Sequence, residues 1–163
     1  QDGRRVVAFW LRMPEPMSSG SIGMFSIPRV CEVREGHICF QPHPNVKARF
    51  VKKIRSPKEA ALDGGYMLKA RLEAGEGLNI GGYKITYGNG RLTADRSSVV
   101  RNHSELKNVA ESPVIEKCEL EIYVDENIIE IYINGGEYTI THAVYDLTGE
   151  ITGANAELYT LEG

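Results

Sequence analysis

Among the many carboxylates, Asp95, Asp125, Glu130 and Glu137 could supply an acid and base pair. Such a pair, held a fixed distance apart with one member kept protonated to meet a leaving oxygen, is of the kind glycosidases use. Strand ends and hairpin turns are, however, where solvated Asp and Glu usually sit, so no catalytic pair is expected among them. Nucleophilic chemistry has no better support: there is no Gly-x-Ser-x-Gly elbow, and Cys39 and Cys118 fall in strand patterns, where a thiol packs as a small core residue. His37, His43, His103 and His142 are scattered, none with a second His or Cys at zinc-ligand spacing, so no metal site is expected. Gly75, Gly77, Gly81 and Gly82 are followed by neither a Lys-Ser/Thr pair nor a helix, which makes them turn residues and not a phosphate loop. The sequence Asn102-His103-Ser104 matches a glycosylation acceptor and is taken as accidental. No cofactor is expected.

Binding chemistry is better represented. Tyr123 and Tyr132 could stack on sugar rings while Glu121 and Glu130 accept hydrogen bonds from hydroxyls. The competing role for the same tyrosines, favoured on chemistry alone, is to cover a sheet against another domain, since large amphipathic aromatics are common at interfaces.

These side chains must be positioned by strands. Helical periodicity is almost absent, while short β-branched and aromatic runs recur between Gly, Asn and Pro at the spacing of an all-β domain. Strands are predicted near residues 6–12, 22–27, 30–34, 38–41, 66–73, 78–80, 83–87, 91–95, 118–124, 128–133, 138–144 and 157–161. A helical turn is predicted only at 56–62, where Pro57 opens a Lys-Glu-Ala-Ala run. A two-residue turn at Glu126-Asn127 pairs Val124 with Ile129, Ile122 with Ile131 and Leu120 with Ile133, all apolar. The same register sets Glu119, Glu121 and Tyr123 opposite Asn134, Tyr132 and Glu130, a polar and aromatic face. A second two-residue turn within Asn134-Gly135-Gly136 keeps Tyr138 and Ile140 on the apolar side. Pro42, Pro44, Lys47, Arg49, Lys52 and Lys53 break the pattern and suggest a join, and residues 97–113 read as one surface loop.

Composition agrees with a globular domain: 163 residues, 42% hydrophobic and 25% charged, with a net charge of −3. There is no basic excess for nucleic acid or anionic lipid and no apolar run of membrane-spanning length. Three cysteines without CxxC spacing favour a reducing compartment, and no signal peptide is read at Gln1-Asp2-Gly3-Arg4, where the start looks cut.

Two groups of residues then resemble a known family. The stretch from Gly3 to Arg12, then Met24-Phe25-Ser26-Ile27-Pro28-Arg29, then Val33 to Pro42, resembles the end of the catalytic propeller of glycoside hydrolase family 32, the invertase, levanase and sucrose-6-phosphate hydrolase group. Residues Arg91 to Ser97, Leu120 to Asp125, Glu130 to Glu137 and Thr141 are similar to that family's C-terminal β-sandwich. The family's catalytic motifs, Asn-Asp-Pro-Asn, Arg-Asp-Pro and Glu-Cys, are absent here, and Glu32 and Glu119 follow a cysteine instead of preceding one.

The resemblance implies an all-β chain: an antiparallel β-sandwich preceded by strands from the end of a five-bladed propeller. It implies a blade remnant at 1–45 and a sandwich module at 46–163, inert alone, whose partner is the catalytic propeller of the same polypeptide. The alternative it offers is a fructan-binding module, with Asp95, Arg96 and Glu130 as polar contacts and Tyr123 or Tyr132 as a stacking platform. Cytoplasmic placement is expected over secretion, from the cysteines, and self-association is expected from orphaned strand edges. Neither a nucleic acid nor a membrane is expected as a partner.

Overall fold

In the computed structural model, which describes residues 3–56, 65–100 and 106–161, the chain is almost entirely antiparallel β-structure. The first part contributes β1 (Arg5–Val7), β2 (Trp10–Arg12), β3 (Gly23–Phe25), β4 (Arg29–Arg34) and β5 (His37–Pro42), followed by a single helical turn, α1 (Pro44–Lys47). β6 (Phe50–Ile54), β7 (Tyr66–Arg71), β8 (Gly77–Ile80), β9 (Tyr83–Gly88), β10 (Arg91–Asp95) and β11 (Val109–Glu111) follow. The last strands are β12 (Glu119–Asp125), β13 (Ile128–Ile133), β14 (Tyr138–Ala143), β15 (Ile151–Gly153) and β16 (Ala156–Leu161).

Eleven of these strands make two sheets, one ordered β11-β10-β9-β8-β15 and the other β14-β13-β12-β7-β16-β6. Alternation explains how they meet. Ile129, Ile131 and Ile133 of β13, with Leu120, Ile122 and Val124 of β12 and Leu68 of β7, turn inward against Leu78, Ile80, Tyr83, Ile85 and Leu92 of the five-stranded sheet. This packed interior is that of a β-sandwich, as expected. Residues 3–42 form two smaller sheets, β1-β4-β5 and the hairpin β2-β3, outside that core.

The predicted meander is present in its predicted register: Val124 pairs with Ile129, Ile122 with Ile131, Leu120 with Ile133, and Tyr123 with Glu130. Of the two turns that Asn134-Gly135-Gly136 allows, the register is that of Gly135-Gly136, with Ile133 opposite Tyr138 and Ile131 opposite Ile140. The ladder itself ends at that first pair, and Asn134 to Glu137 connect the two strands. Three strands were not expected: β6 within the predicted join, β11 within the predicted loop, and β15. The helical turn predicted at 56–62 falls, but for Ser56, outside the described residues, as does the Asn102-His103-Ser104 tripeptide.

Candidate functional site

Glu130 and Tyr132 of β13 point outward with Ile128, alternating with the inward Ile129, Ile131 and Ile133. A carboxylate here ought to be solvated, yet Glu130 is 1% exposed. What covers it is the first part of the chain. Glu130 Oε1 accepts the Ile27 backbone N–H at 2.7 Å, and its Oε2 accepts both Arg29 Nη2 at 2.6 Å and the Tyr132 hydroxyl at 2.8 Å. Arg29 Nη2 also donates to Thr141 Oγ1 at 2.6 Å, on the neighbouring strand β14. Its guanidinium lies between two rings, with Phe9 and Tyr132 centroids 5.1 and 5.4 Å away. A buried ion pair of this kind adds little net stability, because desolvation offsets attraction, but it makes loss of either partner costly.

Around that pair the contact is extended. Tyr123, Tyr132 and Met67 form a small cluster with Ile27, Val46 and Phe50, the rings of Tyr123 and Phe50 meeting edge to face at 5.1 Å. Burial, reinforced by the Glu121 and Glu130 carboxylates, pushes both tyrosine hydroxyls above their ordinary range and keeps them as hydrogen-bond donors. At one end Met13 packs on Ala143 and Tyr145; at the other, Arg34 donates to the Gly135 carbonyl and the His37 ring lies against Tyr138. Between them the Phe40 N–H donates to the Gly136 carbonyl at 2.9 Å. Gly136 has φ of +84°, and a β-carbon there would stand 2.0 Å from the Phe40 carbonyl oxygen, so only glycine permits this approach. A cleft of about 330 Å³ between Phe9, Leu11, Arg29, Phe40, Thr139 and Thr141 marks the seam.

The five residues singled out for sugar binding thus separate. Glu130, Tyr132 and Tyr123 come together, with the two tyrosine centroids 5.8 Å apart, but all three are buried under residues of the same chain, so no ring face is open for stacking. Asp95 and Arg96 are elsewhere, at the end of β10 in the five-stranded sheet. Asp95 is half-buried and accepts the Ser97 N–H at 2.8 Å, and its hydrogen bonds from Ser97 hold its carboxyl below the usual range. Arg96 is buried, and burial lowers it. Residues the sequence reading passed over are Ile27, Arg29 and Thr141 as partners of Glu130. The available signal was the carboxylate itself, in the middle of an otherwise apolar six-residue strand.

Among the described residues no group of three or more His, Cys, Asp or Glu could hold a metal ion, and no helix is long and apolar enough to cross a membrane.

Comparison with known proteins agrees with this architecture. A sucrose-6-phosphate hydrolase of Vibrio alginolyticus is 26% identical over 155 residues, covering 86% of this chain and 32% of that protein. A raffinose invertase of Escherichia coli is also 26% identical, over 89% of this chain and 35% of its own length. The chain therefore spans about a third of the curated relatives it matches. The solved sucrose-6-phosphate hydrolase of Lactobacillus gasseri shares the fold over 99% of this chain and 39% of its own, with a TM-score of 0.78 at 19% identity. The family model described as glycosyl hydrolases family 32 C terminal matches residues 78–160, from within β8 to within β16, and on that match the chain belongs to glycosyl hydrolases family 32 as a C-terminal region.

Proposed function

We propose that this chain is the non-catalytic C-terminal portion of a larger hydrolase of β-fructofuranosides, such as sucrose, sucrose 6-phosphate or a fructan, acting in the cytoplasm. Residues 1–45 are the last strands of its catalytic propeller, and 46–163 are a sandwich that stabilises that propeller by holding those strands. The observation that carries this reading is that residues 3–42 are docked on the sandwich and yet incompletely covered. They meet β13 and the turn after it through Arg29, Ile27 and Phe40. They also leave Val6, Trp10, Phe25, Val33 and Ile38 between 49% and 69% exposed, apolar surface of the kind a further domain covers.

Two experiments test it. In the parent enzyme, deleting residues 46–163 should lower the melting temperature and the soluble yield; unchanged values would refute the stabilising role. The chain alone should release no fructose from sucrose, sucrose 6-phosphate or raffinose, and release would show a catalytic site of its own. Retention on immobilised levan or inulin, abolished by Asp95→Ala, would instead make the chain a carbohydrate-binding module, against which the burial of Glu130, Tyr132, Tyr123 and Arg96 weighs.

A further inference from the structure

Away from the Glu130 site, the end of β10 stands beside a buried histidine. His142, on the core side of β14, is 8% exposed. Its Nδ1 lies 2.8 Å from the Tyr83 hydroxyl of β9, with the two rings edge to face. Arg96 bonds to the residue that follows it: Nη1 donates to the Ala143 carbonyl at 2.9 Å, while Nη2 donates to the Lys107 carbonyl at 3.2 Å. The Arg96 carbonyl accepts the Val99 N–H, and the Val99 carbonyl accepts the Tyr145 N–H at 2.6 Å. Tyr145 in turn holds Glu15 at both ends, its hydroxyl accepting the Glu15 N–H at 3.0 Å and donating to the Glu15 carbonyl at 2.8 Å. A continuous chain of bonds therefore leads from His142 to the loop between β2 and β3.

The titratable and charged groups facing His142 are Tyr83 from β9 and Asp95 and Arg96 at the end of β10. Asp95 is engaged by Ser97, and its charge acts in the opposite sense to burial and Arg96 and ranks below both. Burial first, and the Arg96 charge second, lower His142 to about 4, so the ring is neutral at ordinary pH. A proton there would set a second cation beside Arg96 in a site with little access to water.

The geometry points to an acid-sensitive latch: a proton on His142 drives Arg96 from the Ala143 and Lys107 carbonyls, releasing Val99 and Tyr145 and undocking the loop that carries Glu15. The sign follows from linkage. The folded value lies below the unfolded one of about 6.5, so the contribution is complete above about pH 6.5 and is lost as pH falls through about 4. This device goes beyond the stabilising role and depends on no substrate.

Hydrogen exchange of the Glu15 amide, corrected for intrinsic rate, tests it against the Ile131 amide of the core, between about pH 7 and about pH 4. Glu15 protection should fall about tenfold in that interval while Ile131 stays protected, and His142→Gln, which keeps an acceptor for Tyr83 but takes no proton, should abolish the fall. Equal loss of Glu15 protection in both proteins, or loss only together with Ile131, would overturn the latch. Should the variant fail to fold, the imidazole NMR titration of the unaltered chain decides: its midpoint must coincide with Glu15 release, and a separate midpoint overturns the proposal.

Discussion

The outer face of the six-stranded sheet has two halves built from the same alternation but put to opposite uses. Over β13 and β14 the outward residues Glu130 and Tyr132 are buried, and each polar atom named there has a partner from residues 3–42 or from its own sheet. Over β7, β16 and β6, beyond the buried Met67, the outward residues Lys69, Arg71, Glu157 and Lys53 stay exposed, with opposite charges facing across the strands, Glu121 opposing Lys69 and Lys69 opposing Glu157. Lys53 and Glu157 approach to 2.7 Å there, but at 63% and 54% exposure water does most of the solvating. A carboxylate on this sheet is therefore structural or dispensable according to what lies above it, not according to its strand.

Five substitutions would break or sharpen that contrast. Glu130→Ala should have the largest effect, about 3 to 5 kcal/mol in denaturant unfolding, because it strands Arg29 as a buried, unpaired cation; a loss no greater than that of a surface change would mean the pair is solvated. Gly136→Ala should follow, at about 3 kcal/mol, with a matching fall in melting temperature, since the new β-carbon must displace the Phe40 backbone and hold a left-handed conformation. Gly135→Ala is the control: it shares the positive φ of +69°, but its nearest contact is the Arg34 side chain at 3.7 Å, so it should cost clearly less. Thr141→Val leaves an Arg29 donor short of one acceptor and should cost about 1 kcal/mol. Glu157→Gln, on the open half, should leave the unfolding midpoint unmoved, and a clear shift would make the exposed charge ladder a structural element.

The register of β12 to β14 was readable because period-two alternation with a tight turn admits one pairing that sets Ile129, Ile131 and Ile133 against Leu120, Ile122, Val124 and Ile140 on one side. The missed strands share a position: β6, β11 and β15 are all sheet edges. An edge strand is held from one side only and needs little apolar content, and Lys52 and Lys53 on β6 are the kind of charge that keeps an edge from pairing with another molecule. Such strands read as loops because the pattern that betrays a strand is the pattern of burial. The site divides the same way. The polar and aromatic face was legible in Tyr123, Glu130 and Tyr132, but its cover was not, since Arg29 and Glu130 are 101 residues apart and no local periodicity links them. Asp95 and Arg96 were drawn to the same site by resemblance alone; the chain places them in the other sheet.

The place of β16 sets an order of events during synthesis. It lies between β7 and β6, pairing with both, while those two strands share no ladder with each other. Until residues 156–161 have left the ribosome, the sheet cannot close on that side, and strands made about a hundred residues earlier wait with unpaired edges. Any chaperone that guards this chain would be needed over that interval, and a stalled or shortened chain lacking the last strand would expose the apolar inner face of β7 together with two edges ready to pair with a neighbour.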